Sequence, residues 1–215
     1  MTMQIQLRNL IPDYIEKEKR IASQIWSQDI FINKGEHLHI VAPSGSGKTS
    51  LMHFIYGLRK DYSGSVFYDN TDIKKLSTES FSAFRQKKIS IIFQDLRLFE
   101  NETVNENIEI KRILDPYHRS EKIIEMAERL GIENKLDQVA KTCSYGEQQR
   151  IAIIRALMQP FEFLLLDEPY SHLDEANRQK AMELIYEECD KREAAMIFAD
   201  LKPLEFLKDE KVLYL

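Results

Sequence analysis

The sequence predicts an α/β fold with a central parallel sheet, and two apolar runs support this prediction. The first run, HLHIVA at residues 37–42, is followed by a glycine-containing loop and then by apolar residues at helical spacing. The second run, FEFLLLDEP at residues 161–169, ends in two acidic residues and a proline. A continuous apolar run of this length is typical of a central parallel strand that is buried on both faces.

The segment APSGSGKTS, residues 42–50, has the composition and the context of a phosphate-binding loop. It follows the first predicted strand and precedes a predicted helix from Lys48 to about Lys60. Backbone N–H groups of the loop and the helix N-terminus would attract an anion. Lys48 can neutralise the β- and γ-phosphates of a nucleotide, and the Thr49 hydroxyl can coordinate Mg²⁺. The alternative is a plain glycine-serine turn with a surface lysine.

Alanine stands at position 42, where the pattern G-x-x-x-x-G-K-[ST] has glycine. Alanine is costly at such a position only if its φ angle is positive. We expect a negative φ, because Ala42 should end the strand.

The acidic pair Asp167 and Glu168 ends the second predicted strand. Ligands of parallel sheets bind at the carboxyl ends of the strands, so both side chains should lie beside the phosphate loop. Asp167 can hold a metal ion through water, and Glu168 can orient or deprotonate an attacking water. The alternative is a solvated turn, which is less compatible with a neighbouring phosphate loop.

The stretch CSYGEQQRIAIIRAL, residues 143–157, predicts a capped helix. Ser144 and Glu147 form a capping box, with Ser144 as the N-cap. Ile151, Ile154 and Leu157 then mark one apolar helix face. A capped helix N-terminus also attracts anions, although a helix that is merely well capped would show the same pattern.

Composition and length restrict the function classes. The 215 residues carry a net charge of −5, which argues against a nucleic-acid partner. The two cysteines lack metal-ligand spacing, which suggests a reducing compartment. No signal-peptide core is apparent, and polar residues interrupt the most apolar stretch, at residues 151–169. We therefore expect a cytoplasmic protein that reaches a membrane only through a partner.

These motifs, in this order, resemble those of the ATP-binding cassette (ABC) ATPases, from about Leu7 to the C-terminus. The corresponding segments are the Walker A loop at 42–50, the Q-loop at 91–108, the signature at 143–150, Walker B at 164–169 and the D-loop at 171–174. The resemblance implies that Gln94 contacts the metal and senses a permease, and that Glu168 is the catalytic glutamate. The Q-loop most resembles that of the small bacterial ATPases that partner lipoprotein-releasing, macrolide-export and cell-division permeases.

The resemblance also implies an architecture: a P-loop NTPase fold of the ABC-cassette type. One domain, residues 1–215, would combine a mixed sheet core with an N-terminal antiparallel part and an inserted helical subdomain. The nucleotide-binding lobe would span about 1–94 and 160–215, and the helical lobe about 95–159. Two cassettes, identical or different, would clamp two ATP molecules head to tail. Ser144 and Gly146 would then face a γ-phosphate bound to the partner cassette.

The implied function is ATP-driven work on a separate integral membrane permease. The cassette would lie at the inner face of the cell membrane and contact the permease through residues 94–107. The alternative is a degenerate cassette that holds ATP structurally or regulates an active partner, with little or no hydrolysis. The resemblance does not identify the transported substrate or the direction of transport.

The sequence departs from the family pattern at residues that act on the γ-phosphate. Cys143 and Tyr145 replace the leucine and the first glycine of the signature, and Ala199 replaces the switch histidine. Tyrosine is bulky where the backbone should approach the phosphate closely, so the clamp is loosened unless its ring points away and leaves Ser144 and Gly146 able to act. None of the five histidines lies after the D-loop, so no shift of register can supply one. Loss of a positioned polar group of this kind lowers a rate by about 10²–10³-fold. The sequence therefore predicts an ATPase with weak turnover.

The adenine-stacking residue has two candidates. Tyr14 stands at the expected place, but Trp26 could compete, and either could be plain core. The predicted nucleotide-binding residues are Tyr14, Ser44, Gly45, Ser46, Gly47, Lys48, Thr49, Ser50, Ser144 and Gly146. Lys48, Gln94 and Glu168 are the predicted catalytic residues, and Thr49, Gln94 and Asp167 the predicted Mg²⁺ ligands.

Overall fold

The computed structural model describes residues 3–203 and 211–215, and an antiparallel sheet begins this part of the chain. Its strands are β1 (Gln4–Pro12), β2 (Asp29–Asn33), β4 (Tyr62–Tyr68) and β5 (Thr71–Asp72), in the order β2-β1-β4-β5. Leu7 pairs with Ile30 on one side and with Val66 on the other, and all three side chains are buried. Because side chains alternate along a strand, this register buries one face of the sheet.

A second, parallel sheet forms the centre of the molecule. Its strands are β3 (His37–Val41), β6 (Ile89–Ile92), β7 (Phe163–Asp167), β8 (Ala195–Asp200) and β9 (Lys211–Tyr214), in the order β6-β7-β8-β3-β9. Every residue of β7 is buried, as expected for a strand covered on both faces. The sequence predicted a mixed sheet core with an N-terminal antiparallel part; both kinds of strand are present, and in the described residues they form two separate sheets.

Seven α-helices connect and cover the strands of the described residues. They are α1 (Lys17–Ala22), α2 (Lys48–Ile55), α3 (Thr78–Lys87), α4 (Val104–Arg112), α5 (Glu121–Arg129), α6 (Tyr145–Leu157) and α7 (Glu175–Arg192). The predicted end of α2 near Lys60 is wrong, because Gly57 adopts a φ of 66° just after the helix. A left-handed glycine at this place terminates a helix.

The sheets and helices enclose two apolar cores. One core lies between the antiparallel sheet, helix α2 and one face of the parallel sheet, and it includes Trp26 and Phe54. The other joins the opposite face of the parallel sheet to helices α4 to α7, and it includes Ile154 and Phe198. The loops at the carboxyl ends of β3, β6 and β7 therefore extend from a sheet that is covered on both faces. Among the described residues, no helix is both long and apolar enough to span a membrane.

Helix α6 begins with the predicted capping box. The Ser144 hydroxyl accepts a hydrogen bond from the Glu147 backbone N–H at 3.3 Å, and the Glu147 carboxylate accepts one from the Ser144 N–H at 2.7 Å. Ile151, Ile154 and Leu157 are fully buried, which confirms the predicted apolar face. The signature segment is thus fixed at the start of a well-packed helix.

Candidate nucleotide-binding site

The loop between β3 and α2 depends on glycine at two positions. Gly45 and Gly47 have φ angles of 74° and 107°, which other residues rarely adopt. A Cβ atom at position 47 would lie 3.0 Å from Cζ2 of Trp26, so the loop also packs directly on the core. Ala42 does not have a positive φ, and its N–H donates to the Asp200 carbonyl at 3.1 Å. Alanine is therefore unstrained there, as predicted.

A cavity of about 320 Å³ opens above this loop. It is lined by Pro12, Tyr14, Ile15, Glu16, Ser44, Gly45, Ser46, Gly47, Lys48, Thr49, Ser50, Gln94 and Glu168. Of the predicted site residues, only Asp167, Ser144 and Gly146 do not line it. Sequence elements from four separate regions of the chain thus meet around one opening.

Lys48 places a positive charge at the base of the cavity. Its ammonium donates to the carbonyls of Ala42 at 2.9 Å and Pro43 at 3.2 Å, and it lies 3.3 Å from a carboxylate oxygen of Glu168. The side chain is 4% exposed, so little water screens its charge. An anionic group that entered the cavity would find this ammonium already oriented.

Gln94 connects the loop to the end of β7. Its amide oxygen accepts a hydrogen bond from the Thr49 hydroxyl at 3.2 Å, and its amide nitrogen donates to Glu168 at 3.3 Å. Glu168 has a φ of 47°, an unusual left-handed conformation for a side chain of this size. Its N–H donates to the Ala199 carbonyl at 3.0 Å. This backbone turn directs the carboxylate into the cavity at the end of the strand.

Asp167 lies beneath the cavity with only 1% of its surface exposed. Within the described residues, neither carboxylate oxygen has a hydrogen-bond partner of normal geometry. Burial raises the pKa of Asp167 to about 6; the charge of Glu168 adds to this rise, while nearby Thr49 and Lys48 oppose it. A neighbouring cation would stabilise the charged form of a buried carboxylate of this kind.

The predicted metal ligands fit Mg²⁺ chemically. The Thr49 hydroxyl, the Gln94 amide oxygen and the Asp167 carboxylate are hard oxygen donors, which this ion prefers. The first two oxygens lie 3.2 Å apart, and the carboxylate supplies the negative charge. The described residues contain no cluster of histidine, cysteine and acidic side chains that would suit another metal better.

Ala199 has an apolar side chain and stands one residue before Asp200, the polar residue that ends β8. It lies on β8 directly opposite Asp167 and is fully buried. Residues paired in a parallel sheet point to the same face, so a longer side chain at position 199 would lie beside the Asp167 carboxylate.

The two candidates for adenine stacking occupy different environments. Tyr14 is 53% exposed at the rim of the cavity, whereas Trp26 is buried beneath the loop. The Tyr14 hydroxyl donates to the Ser50 hydroxyl oxygen, and the Arg59 guanidinium donates to the same oxygen at 3.0 Å. The guanidinium carbon of Arg59 also lies 5.1 Å from the centroid of the Tyr14 ring. Sequence reasoning missed Arg59, because no local pattern connects it with Tyr14.

The start of helix α6 lies outside the cavity of its own chain. Ser144 is exposed, and a Cβ atom at Gly146 would lie 3.0 Å from the His172 carbonyl oxygen. Tyr145 points across its own chain: its hydroxyl donates to the Gln94 carbonyl at 3.3 Å, and its ring lies 4.2 Å from the His172 ring. No local pattern predicted the contact between Tyr145 and Gln94, because these residues lie 51 positions apart along the chain.

Gln149 is a second residue that sequence reasoning missed. It is fully buried, donates to the Glu168 carbonyl at 3.3 Å and accepts from the His172 N–H at 3.1 Å. The signal available in the sequence was its spacing: Gln149 lies four residues before Ile153 and therefore shares a helix face with this apolar residue. A polar side chain buried on such a face needs hydrogen-bond partners. Gln149 ties the end of β7 to the segment that follows.

Comparison with known proteins agrees with this geometry. The profile of the family described as ABC transporter matches residues 28–171. The chain belongs to the ABC transporter family. The macrolide export ATP-binding/permease protein MacB of Nitrosomonas europaea is 34% identical to this cassette over 85% of the chain. The lipoprotein-releasing system ATP-binding protein LolD of Buchnera aphidicola subsp. Schizaphis graminum is 33% identical over 85% of the chain. The cassette spans 28% of MacB and 81% of LolD.

Solved structures extend the similarity to the fold. The dimeric structure of the ABC transporter cassette MJ0796 matches 92% of this chain and 88% of its own, with a TM-score of 0.76 and 26% identity. A dimeric post-hydrolysis state of MJ0796, bound to ADP and Pi, matches 92% of this chain with a TM-score of 0.76 and 25% identity. The ABC-cassette fold expected from the sequence motifs is confirmed.

Proposed function

We propose that this cassette binds ATP together with Mg²⁺, hydrolyses it slowly, and drives or gates a separate membrane permease. One observation supports this most strongly: the buried Lys48 ammonium lies between the glycine loop and Glu168 at the base of an open cavity. An ammonium in this position can bind the β- and γ-phosphates, while the loop N–H groups bind the remaining oxygens.

The other residues have complementary roles in this proposal. Tyr14 at the cavity rim stacks on adenine, a role supported by its exposure and by the burial of Trp26. Thr49, Gln94 and Asp167 would hold the metal, which would neutralise charge on the phosphates. Glu168 orients the attacking water and accepts its proton. Ligand binding would draw Lys48 away from Glu168 and free that carboxylate for this role.

Slow turnover is proposed because Ala199 has no side-chain hydrogen-bonding group. One missing contact to the transition state lowers a rate by about 10²–10³-fold, whereas ground-state binding depends mainly on Lys48 and the loop. The competing proposal is a cassette that binds ATP for a structural or regulatory purpose. Retention of Glu168 beside Lys48 favours the hydrolytic proposal, since a purely structural site has no need of a water-positioning carboxylate.

A pair of cassettes and a permease complete the proposed assembly. The dimeric MJ0796 structures and the permease-linked MacB relative support it. Ser144 and Gly146, which lie outside their own cavity, would face the nucleotide of the second cassette. The permease would contact residues 94–107, where Phe99 is half exposed, and would hold the cassette at the cytoplasmic face of the membrane. The division into lobes at residues 95 and 160 belongs to the same proposal.

Calorimetric titration with Mg·ATP tests the binding site. We expect Lys48→Ala to weaken binding by at least about tenfold, because a charged hydrogen bond contributes about 1.5–3 kcal/mol. Lys75→Ala is the matched control, since this lysine is exposed and lies outside the cavity. Equal affinity of the wild type and Lys48→Ala would refute the assignment of the loop.

A further inference from the structure

The Q-loop backbone around Gln94 is held in an unusual conformation. Leu96 and Arg97, which follow closely, have φ angles of 56° and 50°, so two successive non-glycine residues are left-handed. Such residues persist only where the surroundings impose them. Arg155, buried on helix α6, donates to the carbonyl oxygens of both residues. Helix α6 therefore holds the far side of this loop.

The same helix also reaches the near side of the loop, through Tyr145. The Tyr145 hydroxyl donates to the Gln94 carbonyl oxygen at 3.3 Å. The ring is held from behind by His172, whose ring lies edge-on at a centroid distance of 4.2 Å. Tyr145 and Gln94 also line one cavity with Thr49, next to the proposed nucleotide site. The phenol is thus directed at the residue that links the loop to Glu168.

Gln94 has the most demanding geometry in the proposed site. One end of its amide accepts from Thr49 at 3.2 Å, and the other donates to Glu168 at 3.3 Å. These two contacts, like the contact of the Tyr145 hydroxyl with the Gln94 carbonyl at 3.3 Å, are long for hydrogen bonds, so a small rotation of the Gln94 peptide would weaken all three together. A donor that fixes the carbonyl of the same residue restricts this rotation. An alanine or glycine at position 145 has no such donor.

We propose that Tyr145 is a positioning residue for Gln94: through its hydroxyl, the start of helix α6 fixes the Q-loop glutamine of the same chain between Thr49 and Glu168. This inference rests on the proposed ATPase function. It assigns to the tyrosine a constructive role within its own chain, in contrast to the obstruction of the partner site that its size alone suggests. Tyr145 touches neither nucleotide nor metal in this role and acts only through Gln94.

Tyr145→Phe tests the proposal, because it removes the hydroxyl and keeps the ring on His172. One neutral hydrogen bond corresponds to about a threefold to tenfold effect, so we expect kcat for ATP to fall by that factor. KM should change less than about twofold, since the loop and Lys48 are untouched. Tyr117→Phe is the matched control, because this tyrosine is similarly exposed and lies between α4 and α5.

Two further measurements distinguish positioning from general structural support. In a Gln94→Ala background, Tyr145→Phe should have no additional effect on kcat, because the side chain that it positions is gone. Amide hydrogen exchange in the segment 93–99 should accelerate about threefold to tenfold in Tyr145→Phe and stay unchanged in Tyr117→Phe. This second measurement requires no turnover.

Each contrary outcome has a separate meaning. If exchange in the segment 93–99 is unchanged, or if the effects of Tyr145→Phe and Gln94→Ala on kcat are additive, the positioning role is wrong. A higher kcat in Tyr145→Phe would also overturn it and would identify the phenol as an obstruction. If the wild type binds no ATP, or binds it without turnover, the proposed function fails in whole or in part, and hydrogen exchange alone decides the contact.

Discussion

Substitution of Ala199 by histidine is the most informative change at this site. Ala199 lies opposite Asp167 on the neighbouring strand, and paired strands are about 4.8 Å apart. An imidazole at this position would therefore stand beside the Asp167 carboxylate, which we propose to bind the metal, on the face that bears helix α2. From there it can reach a γ-phosphate bound above Lys48. We expect the rate of ATP hydrolysis to rise.

The magnitude follows from two opposing effects. A positioned donor at the reacting group is worth about 2.7–4 kcal/mol in the transition state, or about 10²–10³-fold in rate. The substitution also places a ring in a fully buried position, and such overpacking costs about 1–3 kcal/mol of stability. A domain with about 5–15 kcal/mol of stability remains folded after that loss. Even if half of the catalytic contact is realised, kcat should increase by at least about tenfold.

Phosphate release at saturating Mg·ATP measures the effect, together with urea unfolding of each variant. Ala199→Leu is the matched control, because it adds similar bulk without a polar atom, and its rate should not exceed that of the wild type. Glu168→Gln should abolish turnover in both the wild-type and the Ala199→His background. These comparisons separate the imidazole from bulk and from contaminating activity.

One result would refute the reasoning. If folded Ala199→His hydrolyses ATP no faster than the wild type, the missing histidine does not limit the rate. The same conclusion would follow if the wild type already turned over at the rate of an ordinary cassette. Another group would then have to perform the role assigned to position 199.

Two further predictions concern the loop and the core. Gly47→Ala should destabilise the protein by about 1–3 kcal/mol in urea unfolding and should shift the fluorescence of Trp26. Gly45→Ala is the control: its added Cβ meets no atom within 4 Å, so it should cost only about 1 kcal/mol, and equal losses in the two variants would contradict the packing argument. Burial lowers the pKa of His39 from 6.5 to about 4, so the unfolded chain binds more protons than the folded protein below neutral pH. The free energy of unfolding should therefore fall by about 2 kcal/mol from pH 7.5 to pH 5. His39→Phe should remove this part of the pH dependence, and an unchanged dependence would show that another group causes it.

Local patterns in the sequence determined the elements that surround the site. The uninterrupted apolar run of β7 requires burial on both faces, and it predicted a central parallel strand. The capping box of Ser144 and Glu147 predicted the start of helix α6, because a cap is formed by residues three positions apart. The glycine-containing segment between an apolar run and residues at helical spacing predicted a phosphate-binding loop between a strand and a helix. Each of these features depends on neighbours along the chain, which a sequence displays directly.

The ends of the helices and the contacts between distant segments of the chain were decided by tertiary structure. Helix α2 ends at Ile55 because Gly57 adopts a left-handed φ of 66°, and only glycine fits there, since a Cβ atom would clash with the ring of Phe81 on helix α3. The burial of Trp26 beneath Gly47 likewise depends on a contact between distant segments. From the sequence, Trp26 remained a candidate for adenine stacking, since an aromatic side chain suits a core and a binding site equally well.

The sequence alone indicated the family, through the resemblance of several motifs in their order along the chain, and it indicated the residue types at the phosphate loop through spacing within one segment. It also identified Ala199 as a position without a hydrogen-bonding side chain. Only the tertiary structure decided which way Tyr145 points, that Gln94 connects Thr49 to Glu168, and that Arg155 and Tyr145 hold opposite sides of one loop. These contacts join residues that are up to 74 positions apart, and their direction depends on how sheet and helices pack. No local pattern encodes that packing, so a side chain that seemed in sequence to disturb one site is found against another.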